Sequence, residues 1–308
     1  MKLAIPDLIS NSYFPALAAA ELGFFAAEGL DVTAELIFPV DRCYQALRDG
    51  EVEFVAGAAH GALAGFPEWQ GVKLLGALAQ GMYWFLVMHA DFRVARGDLE
   101  ALKGRRIGAA PWVEMGLRHL LTAGGIDLRR DGVRIGPVPG ATGTSINFGL
   151  TAAQALENRD IDGFWANGMA TEIAVGRGVG TIVLDVRRGD GPPGCFDYTF
   201  GALATTARLV ERTPDTAAAA LRALVAAQTA LKADASRATE VGEKRFPPRE
   251  TGLIAAIVAR DLPYYDPAIS AAQLGAVNEF AHAMSLADEE ASYRDVVATE
   301  FSHLWHPG

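Results

Sequence analysis

The sequence has few cysteines, few basic residues and no long hydrophobic run. Only two of its 308 residues are cysteine, Cys43 and Cys195, which predicts two buried, inert thiols rather than a disulfide. Lys and Arg number 27 against 37 Asp and Glu, giving a net charge of −10. This balance argues against nucleic acid or an anionic membrane surface as a partner. The arginine pairs 105–106, 129–130 and 187–188 are predicted to lie on the solvated surface.

No segment reaches the roughly 18 consecutive apolar residues that a membrane-spanning helix needs, so no direct membrane insertion is predicted. Met1 and Lys2 are followed by an apolar stretch too short for a signal peptide. The expected location is the periplasm if a leader was removed, and the cytoplasm if Met1 is the natural start. No pair of cysteines or histidines has the spacing of metal ligands, so neither a metal nor a cofactor is predicted.

One short pattern occurs twice in the chain. Residues 46–56 (ALRDGEVEFVA) and 155–165 (ALENRDIDGFW) each read as the last turn of a helix, a polar turn and a short apolar strand. A helix, a glycine turn and a strand precede each copy. Such self-similarity indicates one α/β unit carried twice. Two such units usually form two lobes that face each other across a cleft, and small ligands bind in such clefts.

Strand and helix signals alternate in the first part of the chain, which predicts parallel sheets with crossover helices. The predicted strands are 3–5, 32–38, 53–56, 73–78, 84–88, 133–138, 161–165, 181–186 and 200–205, and a short helix and a further strand are predicted within 99–108. After Pro214 the pattern predicts helices alone, at 216–232, 249–260, 271–285 and 293–304. The loop 139–145 lacks the Lys and the spacing of a nucleotide-binding loop, and a turn is predicted there.

Residues 11–32, NSYFPALAAAELGFFAAEGLDV, resemble the opening of periplasmic binding proteins for nitrate, alkanesulfonates and thiamine precursors. Residues 46–55 and 99–108 resemble the same family, and the resemblance extends over 2–205. It implies an α/β, type II binding-protein fold with two lobes, each a mostly parallel sheet flanked by helices. The C-terminal helical segment is expected to pack on lobe 1. The implied limits are 1–88 plus 199–308 for lobe 1 and 89–198 for lobe 2.

The resemblance implies a solute-binding protein that captures a small molecule for an ABC importer, with permease and ATPase subunits as partners. The alternative is a cytoplasmic enzyme, because pyrimidine synthases of yeast thiamine biosynthesis, a biphenyl-sulfinate desulfinase and some aromatic-acid decarboxylases are similar to this scaffold. The desulfinase carries a catalytic cysteine at about the place of Ser12, and the cysteine-rich motif of the synthase is absent. No catalytic residue is assigned, although His60 is the expected acid–base group of such an enzyme.

The ligand is expected at loops that follow the carboxyl ends of parallel strands and begin the next helices. Free N–H groups there suit carboxylate, sulfonate or phosphate, and aromatic side chains stack on flat ligands. The predicted ligand is therefore a planar or aromatic, anionic organic molecule. Core packing explains Phe14, Trp84 and Trp165 equally well, and Glu114 can be either a ligand contact or a favourable first-turn charge. The predicted ligand-binding residues are Asn11, Tyr13, Phe14, His60, Tyr83, Trp84, Trp112, Glu114, Met115, Trp165, Asn167 and Tyr198.

Overall fold

A computed structural model describes residues 1–143 and 146–306. The end of the predicted turn at 139–145 lies outside the described residues. Strands β1 to β10 span, in chain order, Lys2–Ile5, Thr33–Leu36, Phe54–Ala58, Val72–Ala79, Phe85–His89, Arg106–Ala109, Arg134–Gly136, Gly163–Ala166, Gly180–Asp185 and Gly201–Thr206. Helices α1 to α12 span Phe14–Glu21, Phe24–Ala27, Val40–Arg48, Val113–Ala123, Phe148–Glu157, Gly168–Gly176, Ala207–Arg212, Pro214–Ala233, Arg237–Arg245, Pro248–Asp261, Ala271–Ala283 and Tyr293–Val296.

The strands form two five-stranded sheets with the same plan. The first sheet has the order β2-β1-β3-β10-β4 and the second has the order β7-β6-β8-β5-β9. In each sheet the first three strands pair in parallel. The next strand, β10 or β5, pairs antiparallel with both of its neighbours. The duplicated sequence pattern therefore corresponds to a duplicated sheet, and we call each sheet with its flanking helices a lobe.

The chain crosses between the lobes twice. The first strand after each crossing is the antiparallel strand of the lobe that the chain enters. Residues 80–84 lead from β4 into β5, and residues 186–200 lead from β9 back to β10. The predicted lobe limits placed β5 at the end of lobe 1. In the structure Phe85–Met88 pair instead with Gly163–Ala166 in the second sheet. The limits stay a prediction, and we propose that the first boundary precedes Phe85.

Apolar side chains explain why these strands form the middle of each lobe. Every residue of β3 is buried, as is every residue of β8. Strands covered on both faces by crossover helices read as continuous apolar runs rather than alternating patterns. The two thiols, Cys43 and Cys195, are buried and unpaired, as predicted, and burial raises the pKa of both.

The C-terminal helices pack mainly on lobe 1, where α8 and α9 contact α1 and α8 also contacts β4. Helix α10 additionally contacts α6 of lobe 2. The predicted helix 293–304 is wrong in its middle. Val297 forms a parallel bridge with Leu74, and the amide of Ala298 donates to the Leu74 carbonyl at 3.0 Å. The edge of β4 thus captures the chain and ends α12 at Val296. None of the described helices is long and apolar enough to cross a membrane.

Candidate functional site

A cavity lies between the lobes, at the carboxyl ends of strands from both sheets. Its volume is about 30 Å³, room for one or two water molecules. Lobe 1 contributes residues that follow β1 and β2, and lobe 2 contributes residues that follow β6 and β8. The lining residues are Pro6, Asp7, Ser10, Tyr13, Phe38, Val40, Trp84, Ala110, Val113, Phe148, Ala166 and Asn167. The lobes are therefore closed on each other in this structure, and a larger ligand can enter only if they part.

Asp7 holds the lobes together at the floor of the cavity. Its Oδ2 accepts hydrogen bonds from the Asn167 side-chain amide at 2.7 Å and from the Gly149 amide at 3.3 Å, both in lobe 2. Its Oδ1 accepts from the amide of Ile9 at 3.2 Å. Burial raises the pKa of Asp7 to about 7, although these three hydrogen bonds work in the opposite direction. The carboxyl group is therefore close to half protonated at neutral pH.

The helix N-termini that face the cavity bind oxygen atoms of the protein itself. Asn167 caps α6, because its Oδ1 accepts from the amides of Met169 and Ala170 at 3.0 and 3.2 Å. The amide of Gly168, the first residue of α6, donates to Asn11 Oδ1 at 3.1 Å. The Asn11 side-chain amide in turn donates to Asp261. Asn11 thus links the two lobes.

Aromatic side chains form the walls of the cavity. Phe38 of lobe 1 stacks on Phe148 of lobe 2 with ring centroids 5.8 Å apart and planes at 15°. The Tyr83 hydroxyl donates to the Tyr13 hydroxyl at 2.5 Å, and the two rings meet edge to face. Burial raises the pKa of both tyrosines. Both hydroxyl groups are therefore neutral hydrogen-bonding groups at physiological pH. Of the predicted binding residues, Tyr13, Trp84 and Asn167 line the cavity.

His60 lies between the lobes but does not line the cavity. Its Nε2 is 3.1 Å from the Trp112 carbonyl and its Nδ1 is 2.9 Å from the Thr199 hydroxyl. A carbonyl can only accept, so Nε2 carries the proton and Nδ1 accepts from Thr199. Burial lowers the pKa of His60 to about 4. Both ring nitrogens are thus committed to the protein, and the ring is neutral at physiological pH.

The other predicted binding residues lie around the cavity rather than in its wall. Phe14 is buried in lobe 1, where its ring meets Phe246. Trp165 is fully buried, and its indole N–H donates to the Val113 carbonyl at 3.2 Å. Tyr198 does not line the cavity; its ring stacks on Phe280 with centroids 5.3 Å apart, and Phe280 meets His60 edge to face.

Trp112, Glu114 and Met115 are half-buried at the start of α4. Trp112 has a φ of 69°, in the left-handed region that large side chains rarely occupy. This backbone turn points its carbonyl at His60 and precedes Val113, which lines the cavity. Burial raises the pKa of Glu114. Its Oε2 is buried without a hydrogen-bond partner within the described part of the chain.

A buried ion network joins the lobes beside the first crossing. Arg187 Nη1 donates to Asp261 Oδ2 at 2.9 Å, and Arg188 Nη2 donates to Asp261 Oδ1 at 2.6 Å. Arg187 also donates to the Gln80 carbonyl at 3.0 Å and lies over the ring of Tyr83. The surface prediction for the pair 187–188 is therefore wrong for Arg187, which is 4% exposed. Its partner, Asp261 at the end of α10, is too distant in sequence for any local pattern to reveal it.

Sequence reasoning missed Asp7 and Ser10, although a signal for Asp7 was present. It is a carboxylate two residues after a buried strand, where parallel strands place ligand-binding side chains. Phe38 and Phe148 also line the cavity and were not predicted. Within residues 1–143 and 146–306, no group of three or more His, Cys, Asp or Glu side chains is arranged to hold a metal ion.

Comparison with solved structures gives the same two-lobed fold. The alkanesulfonate-binding protein SsuA from Xanthomonas axonopodis pv. citri, solved with MOPS bound, aligns with a TM-score of 0.71 and 14% identity over 96% of this chain and 97% of that chain. The periplasmic nitrate-binding protein NrtA from Synechocystis PCC 6803 aligns with a TM-score of 0.63 and 17% identity over 81% and 68%. The desulfurization enzyme DSZB, solved as a mutant with biphenyl-2-sulfinic acid, aligns with a TM-score of 0.66 and 16% identity over 98% and 97%.

These identities establish the fold and not a ligand. The predicted two-lobed, periplasmic-binding-protein fold is thereby confirmed. No curated protein sequence matches the chain significantly. The sequence profile described as NMT1/THI5 like matches residues 10–238, most of the two lobes and the start of the C-terminal helices. The chain belongs to the NMT1/THI5-like family.

Proposed function

We propose that this protein is a solute-binding protein that closes its two lobes on a small organic molecule. The observation that carries the proposal is the position of the cavity. Its wall is built from both lobes, at the strand ends where α/β sheets bind ligands. Hydrogen bonds from Asn167 to Asp7 and from Gly168 to Asn11 cross the cavity region. A ligand held there stabilises closure, because it contacts both lobes at once.

The resemblance to SsuA and NrtA, whose names describe them as binding proteins, supports a role in an ABC importer. We propose permease and ATPase subunits as its partners and the periplasm as its place of action. The aromatic walls, with Phe38 and Phe148 from opposite lobes, favour a ligand with a flat part. Aromatic surface of this kind binds planar groups by stacking.

An enzyme on the same scaffold is the second candidate, favoured by the fold that this chain shares with DSZB. The acid–base group predicted for it was His60. That side chain does not line the cavity, and both of its nitrogens are hydrogen-bonded to protein groups. The desulfinase cysteine has Ser12 at about its place, a buried residue whose Oγ is 3.4 Å from Arg187 Nη1. These contacts favour binding over catalysis.

Solution scattering and thermal unfolding test the binding proposal. We expect a panel of aromatic acids, sulfonates, amides, amines and pyrimidines to contain compounds that reduce the radius of gyration and raise the melting temperature together. Both effects follow when a ligand binds the closed form and not the unfolded chain. A matched pair of variants gives the control. Val113→Phe fills the cavity and should abolish both effects, whereas Val175→Phe at an exposed position should abolish neither. Turnover of a compound without compaction would favour the enzyme instead.

A further inference from the structure

The polar groups of the cavity are not matched to an anion. Among the lining residues Asp7 carries the only ionisable side chain apart from Tyr13, and none is Lys, Arg or His. A bound sulfonate, nitrate or carboxylate would face the Asp7 carboxyl group without a cation to offset it. Removing an anion from water into such a site is strongly unfavourable.

Four of the backbone amides at this cleft already donate to side-chain oxygen atoms of the protein. At the start of α6 the amides of Gly168, Met169 and Ala170 all donate to side chains of the protein. At the start of α5 the amide of Gly149 donates to Asp7. A helix N-terminus binds an anion through free N–H groups. In this closed form, protein oxygen atoms have taken the place that an anionic ligand would need.

Two buried side chains in the cavity wall have oxygen atoms that can form further hydrogen bonds. Asp7 is 6% exposed and accepts three hydrogen bonds, while a carboxylate offers about four acceptor positions. Ser10 is 1% exposed, and its hydroxyl has no hydrogen-bond partner among the described residues. A buried hydroxyl without a partner is unfavourable, because it has lost its hydrogen bonds to water. Asp7 therefore favours a ligand that brings hydrogen-bond donors, and the Ser10 hydroxyl can either donate to the ligand or accept from it.

We propose that the cavity is selective for a neutral or cationic molecule that donates N–H groups to Asp7 and hydrogen-bonds to Ser10. This inference rests on the proposed solute-binding function. It replaces the anionic ligand that the sequence predicts, because the lining contains the Asp7 carboxyl group and no Lys, Arg or His to offset a second negative charge. The flat part of the ligand lies against the aromatic walls, near Phe38, Phe148 and Trp84. An amidine, an amine or an amide has the required donors, and a sulfonate does not.

Two series of probes that differ only in the polar group test this selectivity. The first is benzamidine, benzamide, benzoate and benzenesulfonate. The second is propylamine, propionamide, propionate and propanesulfonate. We expect the cationic and amide members to raise the melting temperature and the anionic members to leave it unchanged. A larger shift with benzoate or a sulfonate would overturn the proposed selectivity while leaving solute binding intact. No shift and no compaction with any of the eight would count against both proposals.

Variants of the two acceptors separate their roles. Asp7→Asn should weaken the best cationic probe by at least about tenfold, since the variant removes a hydrogen bond between two charged groups. Asp31→Asn makes the same change of charge at an exposed position and should leave the affinity unchanged. Ser10→Ala should weaken the probe severalfold without lowering the melting temperature of the protein alone, because the lost hydroxyl has no hydrogen-bond partner in the described part of the chain. Equal affinities in Asp7→Asn and wild type would overturn the contact.

Discussion

Replacing Asp261 by Ala is expected to lower the free energy of unfolding by about 3–5 kcal/mol, the usual effect of leaving a buried charge without its partner. Asp261 and Arg187 are each 1% exposed in their side chains. Arg187 Nε already lacks a hydrogen-bond partner among the described residues, and the other contacts of the guanidinium, with Gln80 and Tyr83, are with uncharged groups. Arg188 and Asn11 lose a partner in the same variant. Urea unfolding at neutral pH measures the effect.

The matched control is Glu28→Ala, which removes the partner of Arg222. That pair is 2.6 Å long, but its side chains are 28% and 44% exposed, and exposed pairs contribute about 0–1 kcal/mol. A loss for Asp261→Ala no larger than the loss for Glu28→Ala would contradict the network. It would mean that Arg187 reaches water or another acceptor when Asp261 is removed. Because the network ties α10 to the crossing at Gln80, the variant should also open the lobes in solution scattering.

The second large effect is a pH dependence of stability that Asp7→Asn removes. The pKa of Asp7 is about 7 in the folded protein and about 3.9 in an unfolded chain. Between these values the folded state binds more protons than the unfolded state, so Asp7 makes stability fall as the pH rises. The full difference is about 4 kcal/mol, since one pKa unit corresponds to 1.36 kcal/mol. This loss of stability is absent below about pH 4 and complete above about pH 7.

The wild-type protein must be compared with Asp7→Asn because His60 changes the stability with pH in the opposite direction to Asp7. Its pKa falls to about 4 in the folded state, so it makes stability rise with pH up to about 6.5, the value for an unfolded chain. Denaturant unfolding of wild type and Asp7→Asn from pH 4.5 to 8 isolates the contribution of Asp7 as the difference between the two curves. A constant difference across this range would show that the Asp7 carboxyl group is hydrated and titrates normally.

The duplicated plan of the two sheets could be predicted from the sequence because local patterns encode it. The copies at 46–56 and 155–165 end in β3 and β8, which occupy equivalent places in the two sheets. A buried strand needs an apolar run and a turn needs glycine or polar residues, and both signals lie within a few residues. The strands that pair with β5 and β10 could not be predicted from local patterns, because antiparallel insertion into a sheet depends on strands far away in the sequence.

In the candidate site, too, some features follow from local sequence patterns and others from the tertiary structure. The sequence by itself determined which loops approach the cleft, since each follows a strand whose pattern is local, and Tyr13, Trp84 and Asn167 lie in the cavity wall. Only the tertiary structure decided the chemistry inside. Burial raises the pKa of Asp7 to about 7, and the hydrogen bonds from Asn167 and Gly149 offset only part of that rise. Arg187 can be buried because it forms an ion pair with Asp261, which is distant in the sequence. Burial and long-range pairing are properties of the assembled lobes, and no local pattern of residues carries them.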